Sequence, residues 1–162
     1  EGQRKWLASR FKTQGHELNK NLKPEAAIEQ YDAALSINPD DAYTYYRKAK
    51  AYIDQNQLDP ALINLQKAIE LDPGIASAYN TLGSLNQISG NLEGACVLWE
   101  KSVELDPDFA FPVYNLGIAY LKKGNKSLAL KYFLKYLDMS GKNISSEERH
   151  QVEAYIQQCR QK

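Results

Sequence analysis

The sequence predicts an all-α fold, a right-handed α-solenoid of four helix–turn–helix repeats followed by a C-terminal capping helix. Three observations carry that prediction. Pro39, Pro73 and Pro107 stand 34 residues apart. The same step relates Gly15, Ala49, Gly83 and Gly117. It also relates Ala27, Ala61, Ala95 and Ala129, with the bulky set Tyr31, Leu65, Trp99 and Phe133 following each of them. A fixed period of about 20–50 residues is the signature of stacked supersecondary units, none of which buries its apolar face alone. The columns place the repeats at 8–41, 42–75, 76–109 and 110–143 of one domain spanning 1–162.

Each repeat reads as helix, short turn, helix, longer turn. In the first, Lys23-Pro24 opens the second helix with Pro in its first turn, where the missing N–H costs nothing. In the second, Ala42 to Asn56 has helical periodicity through Tyr45, Ala49, Tyr52 and Ile53. Asp59 and Pro60 then restart a helix in N-cap and first-turn positions, and that helix ends near Leu71, before Pro73. In the third and fourth, Gly90-Asn91 and Gly124-Asn125 form the tight turn, as residues that tolerate positive φ. Gly or Ala at 15, 49, 83 and 117 faces the Ala column at 27, 61, 95 and 129, letting paired helices approach closely. Phe11, Tyr45, Tyr79 and Val113, with the bulky column, fill the seams between neighbouring repeats at about 1.5–3 kcal/mol for each fully buried side chain.

The pattern stops near Gly141, which stands where a fourth Pro would be. Ser145 and Glu148 then make a capping box, and Val152, Tyr155, Ile156 and Cys159 form an apolar stripe. This predicts a capping helix over about 146–160 with a polar outer side; a fifth repeat of a longer chain is the alternative.

An aromatic, a small residue and an aromatic on the first helix, then Ala, a bulky residue, Ala and Pro on the second, resemble the tetratricopeptide repeat from about Ala8 to Asn143. Asn86, Ser102 and Tyr136 depart from its pattern. The resemblance implies a scaffold whose first helices line a concave groove. Four columns at the repeat step would face it: Lys12, Tyr46, Asn80 and Tyr114; Thr13, Arg47, Thr81 and Asn115; His16, Lys50, Ser84 and Ile118; Ser9, Tyr43, Ser77 and Phe111. The groove is therefore expected to run from basic (Lys12, His16, Arg47, Lys50), with Tyr43 and Tyr46, through small and polar (Asn80, Thr81, Ser84, Asn115), to apolar (Phe111, Tyr114, Ile118, Leu121). Of the chaperone-clamping positions of tetratricopeptide co-chaperones, filled here by Lys12, His16, Arg47, Ser77 and Thr81, only Lys12 matches. An asparagine ladder is partial, with Asn115-Leu116-Gly117 fitting and Thr81-Leu82-Gly83 not.

Twenty Lys plus Arg balance twenty Asp plus Glu, so the cationic excess of a general nucleic-acid binder is missing. No run approaches the ~20 apolar residues of a membrane span, so no membrane insertion is expected. A soluble, cytoplasmic location is favoured, and the start at Glu1 suggests a processed product or a piece of something longer. Cys96 and Cys159 read as reduced, structural thiols. His16 and His150 lie at opposite ends of the predicted array, and no zinc-ligand spacing, phosphate-binding loop or nucleophile elbow occurs. Asp40-Asp41 and Glu147-Glu148 fall at helix starts, where carboxylates meet the helix dipole.

No catalytic residue, cofactor or metal is therefore predicted. The expectation is a protein-interaction module that takes a peptide or helix with an acidic segment and an apolar anchor. A docking or regulatory segment of a larger enzyme and a self-assembling scaffold, with homo-oligomers, are the alternatives.

Overall fold

The computed structural model describes residues 2–141 and 144–161; Asn143, the expected end of the fourth repeat, lies outside them. Nine helices occur among the described residues: α1 (Gly2–Lys20), α2 (Pro24–Ile37), α3 (Ala42–Asp54), α4 (Leu58–Leu71), α5 (Ala76–Ile88), α6 (Leu92–Leu105), α7 (Ala110–Lys122), α8 (Lys126–Ser140) and α9 (Ser146–Arg160). The fold is all-α, with no strand among those residues. By contacts the chain forms two compact units, Glu1–Ala78 and Tyr79–Lys162.

The first unit is built from α1 to α4. Pro24 sits at the first helical position of α2, as expected, behind Lys23 as N-cap. Helix α3 ends at Asp54 rather than Asn56, because Asn56 has a left-handed backbone (φ 57°). Helix α4 starts earlier than expected: Gln57 is its N-cap and Asp59 lies inside the first turn, so Asp59 meets the helix dipole without capping. The core holds Ala27, Tyr31, Ala49, Ala51, Ala61 and Leu65, all essentially inaccessible.

In the second unit the two tight turns divide the work between Gly and Asn. Gly90 and Gly124 have positive φ (85° and 74°), whereas Asn91 and Asn125 do not. Each Asn is instead an N-cap, its side chain accepting the N–H of Gly94 (3.0 Å) or Leu128 (3.1 Å). Asn86 joins this turn chemistry by accepting from Asn91 Nδ2 at 2.9 Å. Leu22, Asn56, Gly90 and Gly124 thus share one left-handed conformation at the 34-residue step, although only two of them are Gly.

The small column faces the bulky column more closely than the Ala column. A Cβ on Gly15 would lie 2.7 Å from Tyr31 Cε1, on Gly83 2.6 Å from Trp99 Nε1, and on Gly117 2.7 Å from Phe133 Cε1. An aromatic ring therefore stands over a glycine in three repeats, and Leu65 accompanies Ala49 in the other. Trp99 also donates its indole N–H to the Asn80 carbonyl at 3.1 Å, so its ring plane is fixed.

Helix α9 begins where the capping box placed it, with Ser145 accepting the Glu148 N–H at 3.1 Å. Its Val152, Ile156 and Cys159 enter one core cluster with Val113, Ala129, Phe133 and Tyr136. Tyr155 stacks on Phe133, with ring centres 5.2 Å apart.

Candidate functional site

The basic positions lie on α1 and α3 of the first unit. Lys12 and His16 are one turn apart on α1; Tyr43, Arg47 and Lys50 fall at i, i+4 and i+7 on α3. Arg47 draws the two helices together: one guanidinium nitrogen donates to His16 Nδ1, the other to the Tyr43 hydroxyl at 3.5 Å, and the guanidinium carbon lies 4.8 Å from the Tyr43 ring centre. Burial raises the Tyr31 hydroxyl above its usual pKa, and Arg47, which also bonds it, offsets part of that rise. Arg47 is thus held by side chains from α1 and α3, a pre-organised cation of the kind favoured in carboxylate recognition.

Lys12 is bound differently. Its Nζ is 2.8 Å from Asp41 Oδ2, and the other oxygen of Asp41 accepts the Thr44 N–H at 3.1 Å, capping α3. Asp41 neutralises Lys12, so the excess positive charge of this face comes from Arg47 and from exposed Lys50, which has no ion-pair partner among the described residues. Tyr46, expected to line the same face, is buried with its ring 5.6 Å from that of Tyr43, leaving Tyr43 as the exposed aromatic.

In the second unit Asn80 and Asn115, from adjacent columns of successive repeats, are joined by a 3.2 Å hydrogen bond from Asn115 Nδ2 to Asn80 Oδ1. Ser84 turns its hydroxyl back to the Asn80 carbonyl at 3.1 Å, and Thr81 is half-buried beside them in sequence. The apolar stretch is largely covered from within the chain. Tyr114, Ile118 and Leu121 are half-buried against the cluster that contains Val152, Ile156 and Cys159. The Tyr114 ring lies 5.2 Å from that of Tyr136. Its hydroxyl is raised by burial and by a hydrogen bond with Tyr155. Phe111 alone stays open, at 66% exposure, with Phe109 edge-on at 6.0 Å. The capping helix holds this end through Tyr155 of its stripe, stacked on Phe133, and through Glu148 outside the stripe, which accepts a hydrogen bond from the Tyr136 hydroxyl.

Two sets of residues escaped the sequence reading. Asp41 was seen only as a helix-start carboxylate, since a pairing with Lys12 on another helix leaves no local trace. Arg4 and Lys5 precede the first repeat, where the repeat columns give no guidance; their helical spacing from Ala8 and Lys12 was the available signal.

Profiles described as tetratricopeptide repeat match residues 42–75, 76–109 and 98–131, together more than half of the chain. The chain belongs to the tetratricopeptide repeat family. Hsp70-Hsp90 organizing protein of Triticum aestivum is 33% identical over 79 residues, covering 49% of this chain and 14% of that protein. Tetratricopeptide repeat protein 33 of Mus musculus is 29% identical over 79 residues, 49% of this chain and 30% of its own length. Serine/threonine-protein phosphatase T of Trypanosoma brucei brucei is 44% identical over 50 residues, 31% of this chain and 11% of that enzyme. The match therefore spans less than a third of these relatives. Among solved structures, MamA superposes with a TM-score of 0.75 at 28% identity over 84% of this chain and 80% of its own. The first tetratricopeptide domain of Spaghetti (RPAP3), bound to an HSP90 peptide, gives 0.69 at 22% identity over 74% and 94%, a likeness of fold.

Proposed function

We propose that this tetratricopeptide chain is a protein-interaction module that takes a peptide or helix of a partner on the faces of its first helices, with an acidic segment on the α1/α3 face. The observation that carries this is the Arg47 arrangement. A guanidinium fixed by His16 and Tyr43, one turn from Lys50, which has no ion-pair partner among the described residues, presents positive charge whose ordering entropy is already spent. The Triticum aestivum relative, named Hsp70-Hsp90 organizing protein, supports a scaffold role for the shared repeats. Asn80 and Asn115 add a polar pair that suits a peptide backbone.

Capture of partners on the immobilised chain tests this. Arg47→Glu with Lys50→Glu should lose the partner, and wild-type capture should weaken as salt screens the charges. Salt-independent capture that survives the double reversal, in protein with unchanged circular dichroism, would sink the reading. The match to a protein phosphatase favours a second reading, in which this chain is the docking or regulatory segment of a larger enzyme.

A further inference from the structure

Helix α1 continues upstream of Ala8, and Arg4, Lys5, Ala8, Ser9 and Lys12 recur at i, i+1, i+4, i+5 and i+8, a single stripe on that helix. Opposite the stripe stand Ile37, Asn38 and Asp41 of the α2–α3 connection. Together they enclose a cleft of about 370 Å³ within the first unit, large enough for a few side chains of an extended segment but too small for a helix. Buried Ala8 and half-buried Ile37 give it apolar walls. Among the described residues Arg4, Lys5, Lys12 and Asp41 are its charged lining, and Asp41 is paired with Lys12. Arg4 is exposed, with no hydrogen bond or ion pair among the described residues, and the Asn38 amide and Ser9 hydroxyl make no side-chain bond there either.

We infer that this cleft is a binding site for a carboxylate-bearing stretch of peptide. The Arg4 fork takes a carboxylate in two parallel hydrogen bonds, with Lys5 adding charge. Ser9 and Asn38 bond the adjacent peptide backbone, and the aliphatic part of the ligand rests on Ala8 and Ile37. A phosphorylated ligand fits less well, because its charge of about −1.5 to −2 would face the Asp41 carboxylate and leave the apolar walls unused. Lys12 lies one turn from both Ala8 and His16, so an acidic segment entering the cleft can continue along α1 to Arg47. The inference rests on the function proposed above only in taking an acidic peptide as the ligand.

The test is fluorescence anisotropy with a labelled peptide Gly-Leu-Glu-Leu-Glu-Glu and its Gln-for-Glu counterpart. Two double variants are compared, Arg4→Glu with Lys5→Glu and Arg47→Glu with Lys50→Glu, each with folding checked by circular dichroism. The acidic peptide should bind the wild type, the Gln peptide should bind far more weakly, and the Arg4/Lys5 variant should lose about tenfold or more in affinity. Amide NMR signals of Ser9 and Asn38 should shift on titration. The cleft is overturned if the Arg4/Lys5 variant binds within about twofold of wild type, if Ser9 and Asn38 do not shift, or if inorganic phosphate displaces the peptide better than sodium chloride of equal ionic strength. Loss confined to the Arg47/Lys50 variant refutes the cleft and leaves the α1/α3 face standing; loss confined to the Arg4/Lys5 variant supports the cleft and refutes that face.

Discussion

Replacing Gly83 by Ala probes the contact on which each repeat closes. The added Cβ would lie 2.6 Å from Trp99 Nε1, 2.8 Å from Cδ1 and 3.1 Å from Cε2, against about 3.5–4.0 Å for unstrained carbon contacts. The ring has little freedom to retreat, because it is fully buried and its N–H holds the Asn80 carbonyl. Overpacking of this kind costs about 1–3 kcal/mol, while Gly→Ala inside a helix gains about 1 kcal/mol, so the net loss is up to about 2 kcal/mol. A double-mutant cycle with Trp99→Leu separates the two terms, because it recreates the Ala and Leu pair that stands buried at 49 and 65. In that background Gly83→Ala keeps its helical gain without the clash, so the coupling should be about 1–3 kcal/mol. The lost Trp99 to Asn80 bond occurs on both sides of the cycle and cancels. Urea unfolding of the four proteins, followed by far-ultraviolet circular dichroism, measures it. Effects that add to within about 0.5 kcal/mol would refute the pairing of small residue with ring.

Leu22 holds φ 57° with its side chain 89% exposed. Leu22→Gly should relieve about 1–2 kcal/mol of left-handed strain, return about 0.4–1 kcal/mol to the unfolded chain, and raise the thermal midpoint; a lower midpoint counts against this account. Burial alone would raise the Asp41 pKa, but the hydrogen bonds from Lys12 and Thr44 and the Lys12 charge outweigh it and hold the carboxyl below its usual value. A carboxyl depressed in the folded state contributes stability that is present above its unfolded pKa of about 3.9 and lost as pH falls through the folded value. Asp41→Asn keeps a capping acceptor, so it should cost under about 1 kcal/mol at neutral pH and flatten the fall in stability below about pH 4; an unchanged acid slope in a pH series of urea midpoints would contradict the pairing.

Features written in local chemistry were legible in the sequence. The capping box at Ser145 and the stripe from Val152 to Cys159 placed α9 at 146–160, because an N-cap and a helical apolar face are short-range patterns. Helix α3 ends two residues before Asn56 because Asn56 turns left-handed, a conformation Asn tolerates but does not require. Its alignment with Leu22, Gly90 and Gly124 at the repeat step marks the position as a turn. Alignment by repeat step likewise found Arg47 and Lys50 but not what engages them. Lys12 is neutralised by a residue 29 positions away and Arg47 is held by His16 31 positions away, pairings that depend on how helices pack.

The apolar end shows the same boundary between pattern and packing. Helix α7 carries apolar residues nearly all round, which requires cover on two sides, and periodicity is silent on whether the cover is a partner or the chain itself. The deciding residue is Tyr136. Its column holds Ala34, Ala68 and Ser102 in the earlier repeats, and a tyrosine there projects outward to Glu148 of α9 while its ring meets Tyr114. Tyr155 stacks on Phe133, whose ring also meets that of Tyr114. Tyr114, Ile118 and Leu121 thus pack internally against this cluster, and of the apolar stretch Phe111 is the residue left exposed. One exposed ring is a weaker anchor than a guanidinium held by two side chains with a lysine that has no ion-pair partner among the described residues, which is why the proposed recognition is assigned to the first unit.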